Sequence, residues 1–230
     1  DAIEETILSE VVANALDCDP GFIGDRFRHH GFSFTENHRE TLSDWVGVNG
    51  HDLVLLLGSE WSVYWPDKAK EAAAEAELVR EAHGRGVPVF GICYGSQMIS
   101  HALGGTVEKA REPEIGWYDV TCDIPAVAPG PWMQWHYDCF TPPPGAEELG
   151  RSPSGSQIIR IGRTFATQFH PEASETIVST WANSTNGRAE LERLGSSVDE
   201  LLETTRANVV DSRPNAQALV DWYLDNVAGS

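Results

Sequence analysis

Two short stretches of this 230-residue chain carry residue types that do covalent chemistry together. The first is Gly91-Ile92-Cys93-Tyr94-Gly95, preceded by the apolar run Val87 to Phe90 and followed by a helical pattern containing Met98, Ile99, Ala102 and Leu103. Glycines two before and two after a nucleophile permit a sharp strand-to-helix turn that projects the central side chain from the end of a sheet. At the start of the following helix, the aligned dipole and unpaired N–H groups favour thiolate over thiol. A buried structural cysteine is the alternative, but packing gives no reason for the two flanking glycines. The second stretch ends in Gln168-Phe169-His170-Pro171-Glu172. Phe165, Thr167 and Phe169 alternate with Ala166, Gln168 and His170, which predicts His170 at the end of a strand. Pro171 biases His170 toward extended geometry, and Glu172 is then close enough to hydrogen-bond the imidazole. The set is the one needed to attack a carbonyl carbon: Cys93 as nucleophile, His170 as proton carrier and Glu172 as the group that orients it.

The surrounding elements must bring these stretches face to face. Apolar runs of strand length at residues 11–16, 53–57 and 87–92 are continuous rather than alternating, as in parallel strands covered on both faces. Residues 66–83, rich in Ala, Glu and Lys, read as a helix that Gly84 and Gly86 end. Residues 106–122 and 157–169 read as paired or edge strands, joined by turn-rich segments at 142–145 and 152–156. From residue 174 the pattern is helical, with a capping box from Ser197 to Glu200 and Pro214 at an early helical position. The predicted architecture is α/β, three layers around a mainly parallel, mixed sheet. It forms one domain over residues 1–230, with a core at about 11–184 and a helical C-terminal tail at about 185–230.

Composition narrows the partners. Sixteen Lys plus Arg against 35 Asp plus Glu give a formal net charge of -19, which repels phosphate backbones and anionic lipid and argues against nucleic acid and membrane surfaces. No apolar run approaches the roughly 20 residues that a bilayer requires. Cys18, Cys93, Cys122 and Cys139 form no C-x-x-C pair, so a reducing, cytoplasmic setting is expected rather than a disulfide framework or a zinc site. The opening ten residues show neither a basic stretch nor a small-residue cleavage site.

With these residues in place, the chain resembles the class I, or triad, glutamine amidotransferases, whose pattern is G-x-C-x-G-x-Q followed at a distance by H-P-E. The histidine lies 77 residues after the cysteine, as suits that family. The resemblance runs from about residue 21 to 184 and looks most like stand-alone relatives of the GMP synthetase glutaminase domain. Gly91 to Gln97, Ala102 to Gly105, Glu114 to Trp117, Trp132 to Asp138 and Gln168 to Glu172 carry it. It implies a flavodoxin-like fold and hydrolysis of the glutamine side-chain amide through a γ-glutamyl thioester on Cys93, with neither metal nor organic cofactor. It also implies an oxyanion hole from the N–H of Tyr94 and an N–H in the Gly58-Ser59 turn, with glutamine contacts from Gln97, His136, Tyr137 and Asp138.

Two departures from the family pattern stand out. A second glycine is usual where Ser59 stands; a positive φ there would be costly for serine and would leave the hole incomplete without substrate or a partner. Trp135 and Tyr137 are bulkier than the family's common residues, which opens the substrate question. One reading is a glutaminase that passes ammonia to a separate synthase; another is a stand-alone hydrolase of γ-glutamyl amides of other amines. A more distant reading is an α/β-hydrolase of the dienelactone-hydrolase type, which would need Asp123 or Asp138 as the acid, and H-P-E argues against it. A non-catalytic binding protein would leave Cys93 replaceable. His29-His30 reads as a solvated helix end, Cys18, Cys122 and Cys139 as structural, and the eight tryptophans mostly as packing, with Trp61 and Trp135 at the pocket mouth.

Overall fold

A computed structural model describes residues 6–229, so Asp1 to Glu5, within the opening read for a targeting segment, and Ser230 lie outside the described residues. Along the chain, β1 (Ile7–Ala13) leads through α1 (Gly21–His29) to β2 (Phe32–His38). Next, β3 (Leu53–Leu56) leads through α2 (Ala69–Gly84) to β4 (Val89–Ile92) and α3 (Tyr94–Ala102). A strand-rich stretch follows: β5 (Val107–Tyr118), β6 (Thr121–Cys122), β7 (Trp132–Phe140), β8 (Glu147–Ser152), β9 (Gly155–Ile161) and β10 (Thr164–Thr167). The helices α4 (Glu175–Asn183), α5 (Thr185–Arg193) and α6 (Val198–Tyr223) follow, the last running into a π-helical turn at Leu224–Ala228.

Eight strands form one sheet in the order β2-β1-β3-β4-β10-β9-β8-β6. The first five run parallel and the last three antiparallel, so the sheet is mixed but has a parallel centre. The apolar runs are continuous because both faces are covered. Leu53, Leu55, Phe90 and Phe165 point to one side, where Ile23 and Phe27 of α1 and Leu219, Val220 and Tyr223 of α6 pack on them. Val54, Leu56, Val89 and Ala166 point to the other, against Ala76 and Val79 of α2 and Met98 and Ile99 of α3. The three-layer α/β arrangement is therefore present. Among the described residues no helix is long and apolar enough to cross a membrane.

Several predicted boundaries move. The first strand covers Ile7–Ala13 rather than residues 11–16, because the inward positions Ser9 and Glu10 are polar yet fully buried, while Leu16 lies exposed beyond the strand. The helix predicted at 66–83 begins at Ala69, after a 3-10 turn from Pro66 to Lys68. Residues 157–169 are two strands, turned at Gly162 with φ 56°, and β10 lies at the centre of the sheet beside β4 rather than at an edge. Residues 106–122 do not join the main sheet as one strand. Instead β5 pairs with β7 in a separate antiparallel ribbon, and only Thr121–Cys122 reaches the sheet edge. The capping box at Ser197 and Glu200 forms as predicted. Pro214, however, sits deep inside the 26-residue α6; Ser212 and Ala216 are buried on either side of it, so packing carries the helix past the lost N–H.

Candidate active site

The sequence folds Cys93 into a strained position that its neighbours enforce. Among the described residues it is the only non-glycine with positive φ, at φ 52° and ψ -105°, and it serves as the N-cap of α3. Such a conformation costs on the order of 1–3 kcal/mol and persists only where packing over-determines it. Here Gly91 and Gly95 supply that packing. A Cβ on Gly91 would stand 2.7 Å from Gly95 O, and one on Gly95 would stand 2.4 Å from Leu56 O, so only glycines let α3 turn back onto β3 and β4.

Sheet pairing closes the 77-residue gap to the histidine. β10 lies parallel to β4 with Thr167 opposite Ile92, and the Cys93 N–H donates to Thr167 O at 2.8 Å. The chain then leaves the strand, and the His170 N–H donates to Met133 O of β7 at 2.8 Å. His170 Nδ1 meets Glu172 Oε1 at 2.6 Å, with both side chains at most 5% exposed. Its other nitrogen, Nε2, is buried without a hydrogen bond of its own, which suits a group that must accept a proton from a neighbour. Burial lowers the pKa of the His170 imidazolium, but Glu172 and the Cys93 sulfur outweigh burial and hold it well above the ordinary histidine value. The Cys93 sulfur also lies 3.5 Å from Gln168 Nε2 and 3.8 Å from Trp135 O.

Gly58 seals the other side. A Cβ there would stand 3.0 Å from His170 Cε1 and 3.7 Å from Cys93 Cβ, so the backbone of the turn after β3 lies directly on the cysteine and histidine. Ser59 has no positive φ, and the steric cost predicted for it does not arise. Its hydroxyl instead stabilises the turn, donating to Asn14 Oδ1 at 2.7 Å and accepting from the Trp61 N–H at 3.1 Å. Among the described residues, no protein acceptor takes the N–H of Gly58, Ser59 or Tyr94.

The remaining sequence candidates divide. Buried Gln97 donates to Gln168 Oε1 at 3.2 Å, one residue removed from the sulfur. The segment predicted as a substrate loop, residues 135–138, is part of strand β7. Both ring nitrogens of His136 are engaged, at 2.9 Å from Asp138 O and 3.0 Å from Glu114 Oε2. The Asp138 carboxylate accepts from Ser62 and Tyr64 hydroxyls. The carboxylate at His170 is thus Glu172, and neither Asp123 nor Asp138 takes the place an α/β-hydrolase acid would need. Tyr137 accepts from Arg193 of α5, and Trp135 donates to Glu190 of the same helix, so α5 borders this strand.

Three residues near the site were silent in the sequence. Trp181 of α4 places its ring 4.7 Å from the His170 ring and donates to Asp17, whose carboxyl burial pushes up. Arg39 and Glu75, both fully buried, form an ion pair behind the Gly58 turn. An isolated arginine after a polar strand gives no motif; only the three-dimensional arrangement shows it.

A family model described as glutamine amidotransferase class-I matches residues 37–180. The GMP synthase (glutamine-hydrolyzing) of Aeropyrum pernix is 36% identical over 193 residues, covering 77% of this chain and 35% of its own length. That of Albidiferax ferrireducens is 31% identical over 212 residues, covering 76% of this chain and 37% of its own. The chain therefore spans little more than a third of these curated relatives. Among solved structures, a glutamine amidotransferase from Thermotoga maritima superposes with a TM-score of 0.84 at 25% identity, over 99% of this chain and all of the other. One from Methylobacillus flagellatus superposes at 0.82 and 22% identity over 97% and 96%, a likeness of fold.

Proposed function

Because the chain belongs to the class I glutamine amidotransferase family, we propose that it cleaves the side-chain amide of glutamine, or a γ-glutamyl amide, through a thioester on Cys93. One observation carries this reading: a cysteine forced onto a strained turn beside a buried histidine whose Nδ1 is bound by Glu172 and whose Nε2 is unclaimed. With the proton held on His170 Nε2, where Glu172 and the sulfur stabilise it, the Cys93 sulfur forms a bond to the amide carbon. That proton goes on to the departing nitrogen, the C–N bond breaks and ammonia or an amine leaves. Water, deprotonated by His170, then cleaves the γ-glutamyl thioester to free glutamate and thiol. Glu172 keeps the ring oriented and stabilises its cationic form. The unclaimed N–H groups of Tyr94 and of the Gly58-Ser59 turn would hold the tetrahedral oxyanion, each worth on the order of 3 kcal/mol of barrier. Gln97, Tyr137 and Asp138 remain the candidates for contacts to the rest of the substrate. Nothing in this chemistry calls for a metal or organic cofactor.

Relatives named as glutamine-hydrolyzing GMP synthases support the first reading, in which a synthase accepts the ammonia. The second reading, a stand-alone γ-glutamyl amide hydrolase, is favoured by Trp135 and Tyr137, fixed on β7 by Glu190 and Arg193. Ammonia release from L-glutamine and amine release from a panel of γ-glutamyl amides separate the two. Cys93→Ala is expected to abolish both while keeping the native circular dichroism spectrum, and full activity in that variant refutes the thioester route.

A further inference from the structure

We propose that Arg39 is a positioning residue for the oxyanion hole, holding both of its halves from behind; the proposal rests on the thioester reading above. All five guanidinium N–H donors are used. Nε and Nη2 form a fork to Glu75 at 2.8 and 2.9 Å, Nη2 also donates to Leu57 O at 2.8 Å, and Nη1 donates to Gly58 O at 2.9 Å and Asn14 Oδ1 at 3.1 Å. In a trans peptide the C=O and N–H point in opposite directions. Pinning the carbonyls of Leu57 and Gly58 therefore turns the N–H groups of Gly58 and Ser59 away from Arg39. Gly58 meets Cys93 and His170 directly, so the guanidinium and the reacting sulfur border the same short turn.

The second half of the hole is held by stacking. The guanidinium carbon lies 4.5 Å from the centroid of the Tyr94 ring, and the Tyr94 N–H is the donor that the elbow supplies. Arg39 and Glu75 are both 0% exposed, and an ion pair so placed bears a desolvation cost that an apolar pair would avoid. What the ion pair provides and an apolar pair cannot is a rigid fork with donors left over for two consecutive carbonyls. Rotation of the Gly58-Ser59 peptide would break the charge-assisted bond to Gly58 O, so the turn is fixed before substrate arrives. Asn14 extends the restraint, since its Oδ1 accepts from both Arg39 and Ser59.

The test compares two reactions of the same sulfur. Alkylation of Cys93 by iodoacetamide passes through no tetrahedral oxyanion and reports only the cysteine and histidine, whereas amide cleavage needs the hole. The full chain is assayed on whichever of L-glutamine and γ-glutamyl-4-nitroanilide the wild type cleaves faster. Replacing the buried pair as Arg39→Met with Glu75→Leu removes both charges at once, and Arg39→Lys keeps the charge but cannot fork. For the double variant, kcat is expected to fall about 100-fold with KM within about three-fold and the alkylation rate within about two-fold. Arg39→Lys should recover part of the loss, and it carries the same comparison if the double variant does not fold. Unchanged kcat, or kcat and alkylation falling together, overturns the proposal. Failure of the thioester reading shows separately, as amide cleavage that survives in Cys93→Ala.

Discussion

At His170 two opposing effects meet, and their balance sets the chemistry available. Burial alone would drive the ring neutral, yet Glu172 at 2.6 Å and the adjacent sulfur keep its pKa raised well above the usual value. A raised histidine pKa means that the imidazolium persists to higher pH and is lost only as pH rises through the folded value. Glu172→Gln removes a principal raising effect, so the alkaline limb of kcat/KM is expected to move to lower pH; a limb that stays in place contradicts the orienting role. His170→Ala should cost more turnover than Glu172→Gln, and the reverse order would count against His170 as proton carrier. Gly58→Ala places a methyl 3.0 Å from His170 Cε1 and is expected to lower kcat by about ten-fold or more, since small displacements at a reacting pair are expensive. The meeting of Cys93, His170 and Glu172 was legible from residue type and spacing because the covalent chemistry proposed for them restricts both. Arg39 was not, because its role depends on two main-chain carbonyls that no side-chain pattern records.

Strands and helices were legible wherever burial is symmetric, as in Leu53–Leu56 and Val89–Ile92, and were misplaced where a polar residue is buried. Glu10 is the clearest case. It lies in the middle of β1, fully buried, accepting from Asn37 at 2.6 Å through one oxygen while the other has no partner. Burial, opposed in part by that hydrogen bond, raises its pKa from 4.5 to about 7. The folded state thus holds a proton that the unfolded chain has released, and stability is expected to fall as pH rises from about 4.5 to about 7. The loss is on the order of 3 kcal/mol. Glu10→Gln should flatten denaturation midpoints measured between pH 5 and 7, and an undiminished slope would assign the pH dependence elsewhere. β7 was missed as a strand because its pairing partner β5 lies across a register shift between Lys109 and Glu114, and alternation alone does not reveal such a ribbon.

Taken as a whole, the molecule joins a parallel half, in which β4 leads into the elbow and β10 leads to the histidine, to an antiparallel half that begins at β9. β4 and β10 are neighbours within the parallel half, and Cys93 and His170 both leave from the C-terminal end of that pair. This is where an open α/β sheet leaves a crevice for a ligand. Sequence patterning revealed β3 and β4, which are buried on both faces, whereas β2, polar and partly exposed, gave no strand pattern and β10 was expected at an edge. The antiparallel half was harder to read, since β8 mixes buried and exposed residues irregularly. The most direct measurement on the central claim is intact-protein mass spectrometry after incubation with a glutamine-mimicking electrophile, with the modified peptide mapped. A single adduct on Cys93, greatly slowed in His170→Ala, is the predicted result; an adduct confined to Cys18, Cys122 or Cys139, with Cys93 unmodified, would contradict the account.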